Sequence, residues 1–153
     1  MKIVCFLLLS VALLMGASGP ARAASAEEDL AKLQGTWVTI SLENEGKTLV
    51  DEKTPPKEGP ATKLVQEGNR WMIKVGDKIV ASGTIKLDPA KTPKEIDVMD
   101  EAGPSGKTHL GIYEIAGDLY KYCLAQPGKP RPTEFATSEG SGRSLGVSRR
   151  EKP

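Results

Sequence analysis

The chain has 153 residues, with 21 Lys and Arg against 20 Asp and Glu and a formal charge of +1 at pH 7, so it carries no basic footprint for nucleic acid. A single histidine rules out a histidine-based metal cluster. Two Trp, three Tyr and two Phe argue against a large aromatic cofactor cage, and no cofactor or metal is expected.

Residues 1–26 read as a cleaved secretory signal peptide. Lys2 is a short basic n-region, residues 3–15 are apolar apart from Ser10, and Gly16 to Pro20 break the helix before two small-x-small cleavage sites, Ala21-Arg22-Ala23 and Ala24-Ser25-Ala26. The apolar run is shorter than the roughly 18 to 20 residues that span a bilayer. Cys5 lies inside it rather than after it, where a lipoprotein cysteine would stand. The expected location is therefore periplasmic or secreted, with no integral membrane segment after cleavage. Loss of the leader removes Lys2, Arg22 and Cys5. The charge signs then nearly cancel, and Cys123 is left without a disulfide partner, which makes a buried strand position its expected place. Residues 27–153 are enough for one domain.

In chain order, residues 27–34 follow a helical pattern, with Leu30 and Leu33 three apart and acidic residues in the first turn, where they suit the helix dipole. Gly35 stops it. From there the period is two, and eight strand-like runs follow: 35–43, 62–67, 70–75, 78–87, 95–101, 108–115, 119–125 and 143–150. A connection rich in proline through Thr54-Pro55-Pro56 and Gly59-Pro60 separates the first two. Gly68-Asn69, Gly76-Asp77 and Ala116-Gly117-Asp118 are hairpin turns, and Gly103-Pro104-Ser105-Gly106 is a further turn. Connections this short leave little room for crossover helices, and the tight turns join only antiparallel neighbours. The predicted fold is all-β, an eight-stranded antiparallel up-and-down barrel with a short N-terminal helix, because closure removes the exposed edges.

Alternation assigns faces. Trp71, Ile73 and Val75 share one side of their run, and Ile79, Ala81, Gly83, Ile85 and Leu87 share one side of the next. In the run 119–125, Tyr120, Tyr122 and Leu124 face inward, with Lys121 and Cys123 outward. The first run is ambiguous: Trp37 has Thr39 and Ser41 on its side, whereas Val38, Ile40 and Leu42 point the other way. Either a bulge resets its register or its far face is covered.

Leu33-Gln34-Gly35-Thr36-Trp37 resembles the opening of calycin barrels, the lipocalins and fatty-acid-binding proteins. Gly46-Lys47, Asp77-Lys78-Ile79-Val80-Ala81, Gly83-Thr84, Lys86-Leu87-Asp88-Pro89, Pro93-Lys94-Glu95-Ile96-Asp97, Leu110-Gly111-Ile112-Tyr113-Glu114 and Arg131-Pro132-Thr133-Glu134-Phe135 are similar to the uncharacterised lipocalin-like domain family of planctomycete-type bacteria. The similarity runs from about Leu33 to Lys152. It implies a lipocalin-like barrel, often exported, with no assigned enzymatic activity. It also implies a closure set in which a basic side chain from the last strand packs across the Trp of the Gly-x-Trp motif. Gly35, Trp37 and Arg149 fill those roles here, since alternation through Leu145 and Val147 turns Arg149 inward and Arg150 outward. The chain departs from the wider lipocalin pattern in lacking the usual disulfide.

Catalytic chemistry has little to build on, and no catalytic residues are assigned. His109 has only Cys123 as a conceivable nucleophilic partner, and Asp97, Asp100 and Glu101 lack calcium-loop spacing and read as a solvated face. An accessible pocket shared by His109, Tyr113 and Glu114 would change that view. Arg131 to Phe135 reads as a lid or partner-binding loop at one barrel mouth, or else as a local Arg131–Glu134 ion pair with Phe135 plugging the core. The expected function is binding or carrying a small apolar ligand, with Trp71, Ile73, Ile85, Tyr120 and Tyr122 as the interior ligand-facing residues. The alternative is a protein-interaction module of the cell envelope, for example a protease-inhibitor-like barrel, with a filled core and an unknown protein partner.

Overall fold

A computed structural model describes residues 25–53, 62–101 and 107–152. Most of the leader, the proline-rich connection and the turn at 103–106 lie outside the described residues. One helix, α1 (Ala26–Leu33), precedes nine strands: β1 (Gly35–Asn44), β2 (Lys47–Asp51), β3 (Thr62–Glu67), β4 (Arg70–Val75), β5 (Lys78–Asp88), β6 (Lys94–Asp100), β7 (Thr108–Ala116), β8 (Leu119–Ala125) and β9 (Arg143–Arg150). All pairings are antiparallel. Strands β3 to β9 follow one another around the sheet, and β1 pairs with both β3 and β9. This is a closed eight-stranded barrel with one extra strand.

The extra strand is β2, which the run pattern does not anticipate. The first half of β1 pairs with β3 from Gly35↔Gln66 to Val38↔Lys63, and its second half pairs with β2 from Ser41↔Asp51 to Asn44↔Lys47. The hairpin turns at Glu45-Gly46, both at positive φ (49° and 77°), as a type I′ turn requires. Glutamate is a poor residue for that conformation. Tertiary bonds hold it there: Glu45 N–H donates to Arg143 O (2.9 Å), and Glu45 Oε1 accepts from Gly142 N–H (3.1 Å).

Three register shifts occur among the described strands, one of them in the β1–β2 pairing after Leu42, and the other two reset the faces of the barrel. In β1 the register with β9 passes from Thr39↔Ser148 to Ser41↔Val147, skipping Ile40. Trp37 and Thr39 therefore face inward before the bulge, and Leu42, opposite Gly146, faces inward after it. In β5 the register with β4 jumps from Ile73↔Ala81 to Lys74↔Ile79. That overturns the inward placement of Ile79: it leaves the inward set of Ala81, Gly83, Ile85 and Leu87 and is 50 % exposed beside Val80 at 53 %.

The core contains Leu33, Trp37, Trp71, Ile85, Leu87, Ile96, Tyr113 and Tyr120, with Leu30, Leu64, Ile73 and Val98 packed against it. Each large apolar side chain so buried contributes about 1.5–3 kcal/mol. Gly146 accommodates one ring, since a Cβ there would lie 2.2 Å from Tyr122 Cζ.

A long β8–β9 connection lies as a strap on the outside of the wall. Arg131 donates from Nη1 to Ile96 O (2.9 Å) and Gly111 O (2.6 Å) and from Nη2 to Asp97 (2.6 Å), while its Nε lies 3.3 Å from Glu95. Pro132 is fully buried. Thr137 Oγ1 donates to Glu43 (2.9 Å) and accepts from Gly46 N–H (3.1 Å), which ties the strap to the β1–β2 hairpin. The expectation of a local ion pair with Phe135 in the core is corrected. The partners of Arg131 are on β6 and β7 rather than Glu134, and Phe135 sits outside the barrel under Lys121 (4.7 Å) instead of plugging the core. Cys123 faces outward yet is 0 % exposed, its thiol 3.7 Å from Ala136 O in the strap. Among the described residues no helix is long and apolar enough to cross a membrane.

Candidate functional site

One end of the barrel is closed by α1. Ser25 and Glu28 form a capping box: Glu28 N–H donates to Ser25 Oγ and Ser25 N–H to Glu28 Oε2, both at 3.1 Å. One turn in, Asp29 is 0 % exposed and accepts from Lys94 (2.6 Å), Tyr113 Oη (2.9 Å) and Lys32 (3.0 Å). Burial alone would push this carboxyl up. Its hydrogen bonds to Lys94, Lys32 and Tyr113 outweigh that and hold it below the usual carboxylate range. Desolvation, reinforced by Asp29, drives the Tyr113 phenol strongly upward, so it remains a donor.

At the other end of the helix the last carbonyls have no intrahelical donors. Trp37 Nε1 donates to Leu33 O (2.7 Å), while the Arg150 guanidinium donates to Gln34 O (2.7 Å) and to Lys32 O. The Arg150 guanidinium carbon lies 4.1 Å from the centre of the Trp37 ring. The closing cation is therefore Arg150, and the expectation of Arg149 is corrected. Trp37 pairs directly with Arg150 across β1 and β9, so the two share a face. Leu145, Val147 and Arg149 stand on the outer one, where Arg149 meets Glu52 at 2.5 Å. Gly35, at φ 109°, leaves room beside Arg150, whose Nη1 would be 3.5 Å from a Cβ there.

Inside the barrel is a cavity of about 200 Å³. Its apolar wall is Leu64, Ile73, Ile85, Val98 and Leu124; Trp71, Tyr120 and Tyr122 add rings, and Gln66, Asp100 and His109 add polar groups. The five residues read from the sequence as interior, Trp71, Ile73, Ile85, Tyr120 and Tyr122, all line it. Tyr120 and Tyr122 stack at 5.4 Å in a tilted arrangement, and Tyr120 also meets Trp37 at 5.8 Å. Burial pushes both phenols up, so both stay neutral. Neither hydroxyl is hydrogen-bonded to a described residue. Trp71 Nε1 is buried without a partner, packed where a Cβ on Gly83 would lie 2.8 Å away.

The polar edge is a pair. His109 Nε2 lies 3.1 Å from Asp100 Oδ2, and His109 Nδ1 lies 3.1 Å from Ala125 O. His109 faces the cavity while Cys123 is on the outer surface beneath the strap, so the two do not meet. Tyr113 and Glu114 line a separate groove with Lys94 and Phe135. The three acidic residues expected on a solvated face are each engaged: Asp97 by Arg131, Asp100 by His109, and Glu101 by Arg70 (2.7 Å) and Ser82 (3.0 Å). Among the described residues no group of three or more His, Cys, Asp or Glu could hold a metal ion. Sequence reasoning did not find Asp29 as an anchor. Its only signal was a first-turn position that suits an exposed helix equally well.

No family model, curated protein or solved structure matches this chain.

Proposed function

We propose that this protein is an exported lipocalin-like barrel, of the uncharacterised family its motifs resemble, that binds a small and mostly apolar molecule in its interior. The observation that carries this reading is the cavity of about 200 Å³, with five aliphatic side chains, three rings and a few polar groups around it. That balance of apolar wall and sparse polar groups is typical of ligand sites, although drug-sized ligands occupy about 300–1,000 Å³. An engineered apolar cavity of about 150 Å³ binds benzene, so the fitting ligand is a compact ring or short chain somewhat larger than that. The α1 plug and the Trp37–Arg150 contact close the floor, and the binding role falls to Trp71, Ile73, Ile85, Tyr120 and Tyr122. His109 is engaged by Asp100 and Ala125 O, and Cys123 lies on the opposite face of the wall.

The test is mass spectrometry of molecules released when protein purified from its native compartment is denatured, combined with thermal shifts in a panel of compact apolar compounds. Saturating ligand at about 100 times its Kd adds about 2.7 kcal/mol of stability. Val98→Phe, which fills the cavity, should abolish the shift. No released molecule and no saturable shift with any probe would overturn the reading.

A further inference from the structure

The charges around the cavity narrow the ligand further, on the premise that the cavity is a binding site. Among the described residues that line it there is no Lys or Arg, and the one carboxylate is Asp100. Asp100 is committed to His109, 3.1 Å away. With one proton or two on the imidazole, beside an ionised Asp100 that pair offers an incoming anion no net positive charge. A ligand carboxylate would leave water for aliphatic walls and a like charge, the costly case of an unpaired buried ion.

Neutral oxygen meets the opposite situation. Tyr120 is 5 % exposed and lines the cavity. Its hydroxyl and that of Tyr122 next to it have no partner among the described residues, so two donors stand ready at one wall. Unlike Trp71 Nε1, these hydroxyls are not sealed from the cavity space, so a ligand acceptor can reach them and gains about the worth of one net hydrogen bond. We infer that the site selects a neutral molecule carrying one hydrogen-bonding oxygen, such as a small ketone, ester or alcohol, over the carboxylate of the same shape, with the Tyr120 and Tyr122 hydroxyls as the recognising groups.

Three probes of matched size test this by calorimetric or NMR titration at neutral pH: cumene, acetophenone and benzoate. Acetophenone should bind at least about tenfold more tightly than benzoate, and about fivefold more tightly than cumene, the worth of one net hydrogen bond. In the Y120F/Y122F variant both rings remain, and the acetophenone-to-cumene ratio should fall towards one. Benzoate binding as well as acetophenone, or an unchanged ratio in the variant, would overturn the inference while leaving apolar binding intact. If neither cumene nor acetophenone binds, the cavity reading itself fails and this inference with it.

Discussion

Replacing Arg150 and Arg149 separately by alanine tests how the barrel is closed, because the two neighbours on β9 face opposite sides of the wall. Arg150 is 30 % exposed at its side chain, lies 4.1 Å from the Trp37 ring centre, and donates to two carbonyls at the end of α1. A partly desolvated cation–π contact is worth about 1 kcal/mol. Two hydrogen bonds from a charged donor, discounted for partial exposure, add about 1 kcal/mol each, so Arg150→Ala should cost about 3 kcal/mol. Arg149 is 50 % exposed and among the described residues meets only Glu52, itself 54 % exposed. An exposed pair of this kind contributes about 0–1 kcal/mol, and Arg149→Ala should cost no more. Urea denaturation followed by tryptophan fluorescence reads both: with an m-value of about 2 kcal/mol/M, the Arg150 variant should lose about 1.5 M in midpoint and the Arg149 variant less than about 0.5 M. Equal losses, or a larger loss for Arg149, would refute both the inward assignment and the argument that a side chain from β9 caps the helix.

Asp29→Asn should cost about 3 kcal/mol at neutral pH, the low end for breaking a buried ion pair because Lys94 and Lys32 keep part of their hydration. The carboxyl is held below its ordinary value of 3.8 in the folded state, so its contribution is complete above that value and is lost as pH falls through the lowered one. Stability measured between about pH 5 and 2 should therefore fall less steeply in the variant than in the parent. Arg131→Ala should loosen the strap over Cys123, whose thiol burial pushes upward and shields. A local destabilisation of about 2 kcal/mol corresponds to roughly thirtyfold faster thiol labelling under native conditions, and an unchanged rate would show that the strap is held elsewhere. The proposed export predicts cleavage after Ala23 instead of Ala26, because the later site removes Ser25 and with it the capping box of α1. The intact mass of the processed protein distinguishes the two.

Much of the cavity wall was legible in the sequence. Strict alternation in β4 and β8 separates Trp71, Ile73, Tyr120 and Tyr122 from Lys74 and Lys121, and the glycine turns at 68–69, 76–77 and 117–118 fix the order of the strands. Alternation fails where the period itself is interrupted. The broken alternation of the first run does point to the bulge found at Ile40, but nothing local marks Val80 as a bulged residue, so Ile79 reads as inward. The last strand fails for another reason: Leu145 and Val147 are apolar on the outer face, while the inner positions carry Gly146 and Ser148, small residues that leave room for Tyr122 and Tyr120 opposite them. A pattern that equates apolar with inward inverts there, and Arg149 is taken for Arg150.

The sequence by itself determined the class and the eight strands of the barrel, though not β2: a short helix, then short alternating runs joined by turns too tight for anything except antiparallel neighbours, which a barrel satisfies by closing. Those properties are set by interactions between residues a few positions apart. Only the tertiary structure decided which charges are structural and which face the cavity. Asp29 and Lys94 lie 65 positions apart, Arg131 and Asp97 34 apart, and Arg150 reaches a carbonyl 116 positions earlier in the chain. A carboxylate or a guanidinium looks the same in sequence whether it is solvated or buried against a partner. The register of a closed sheet is what brings the partner to it.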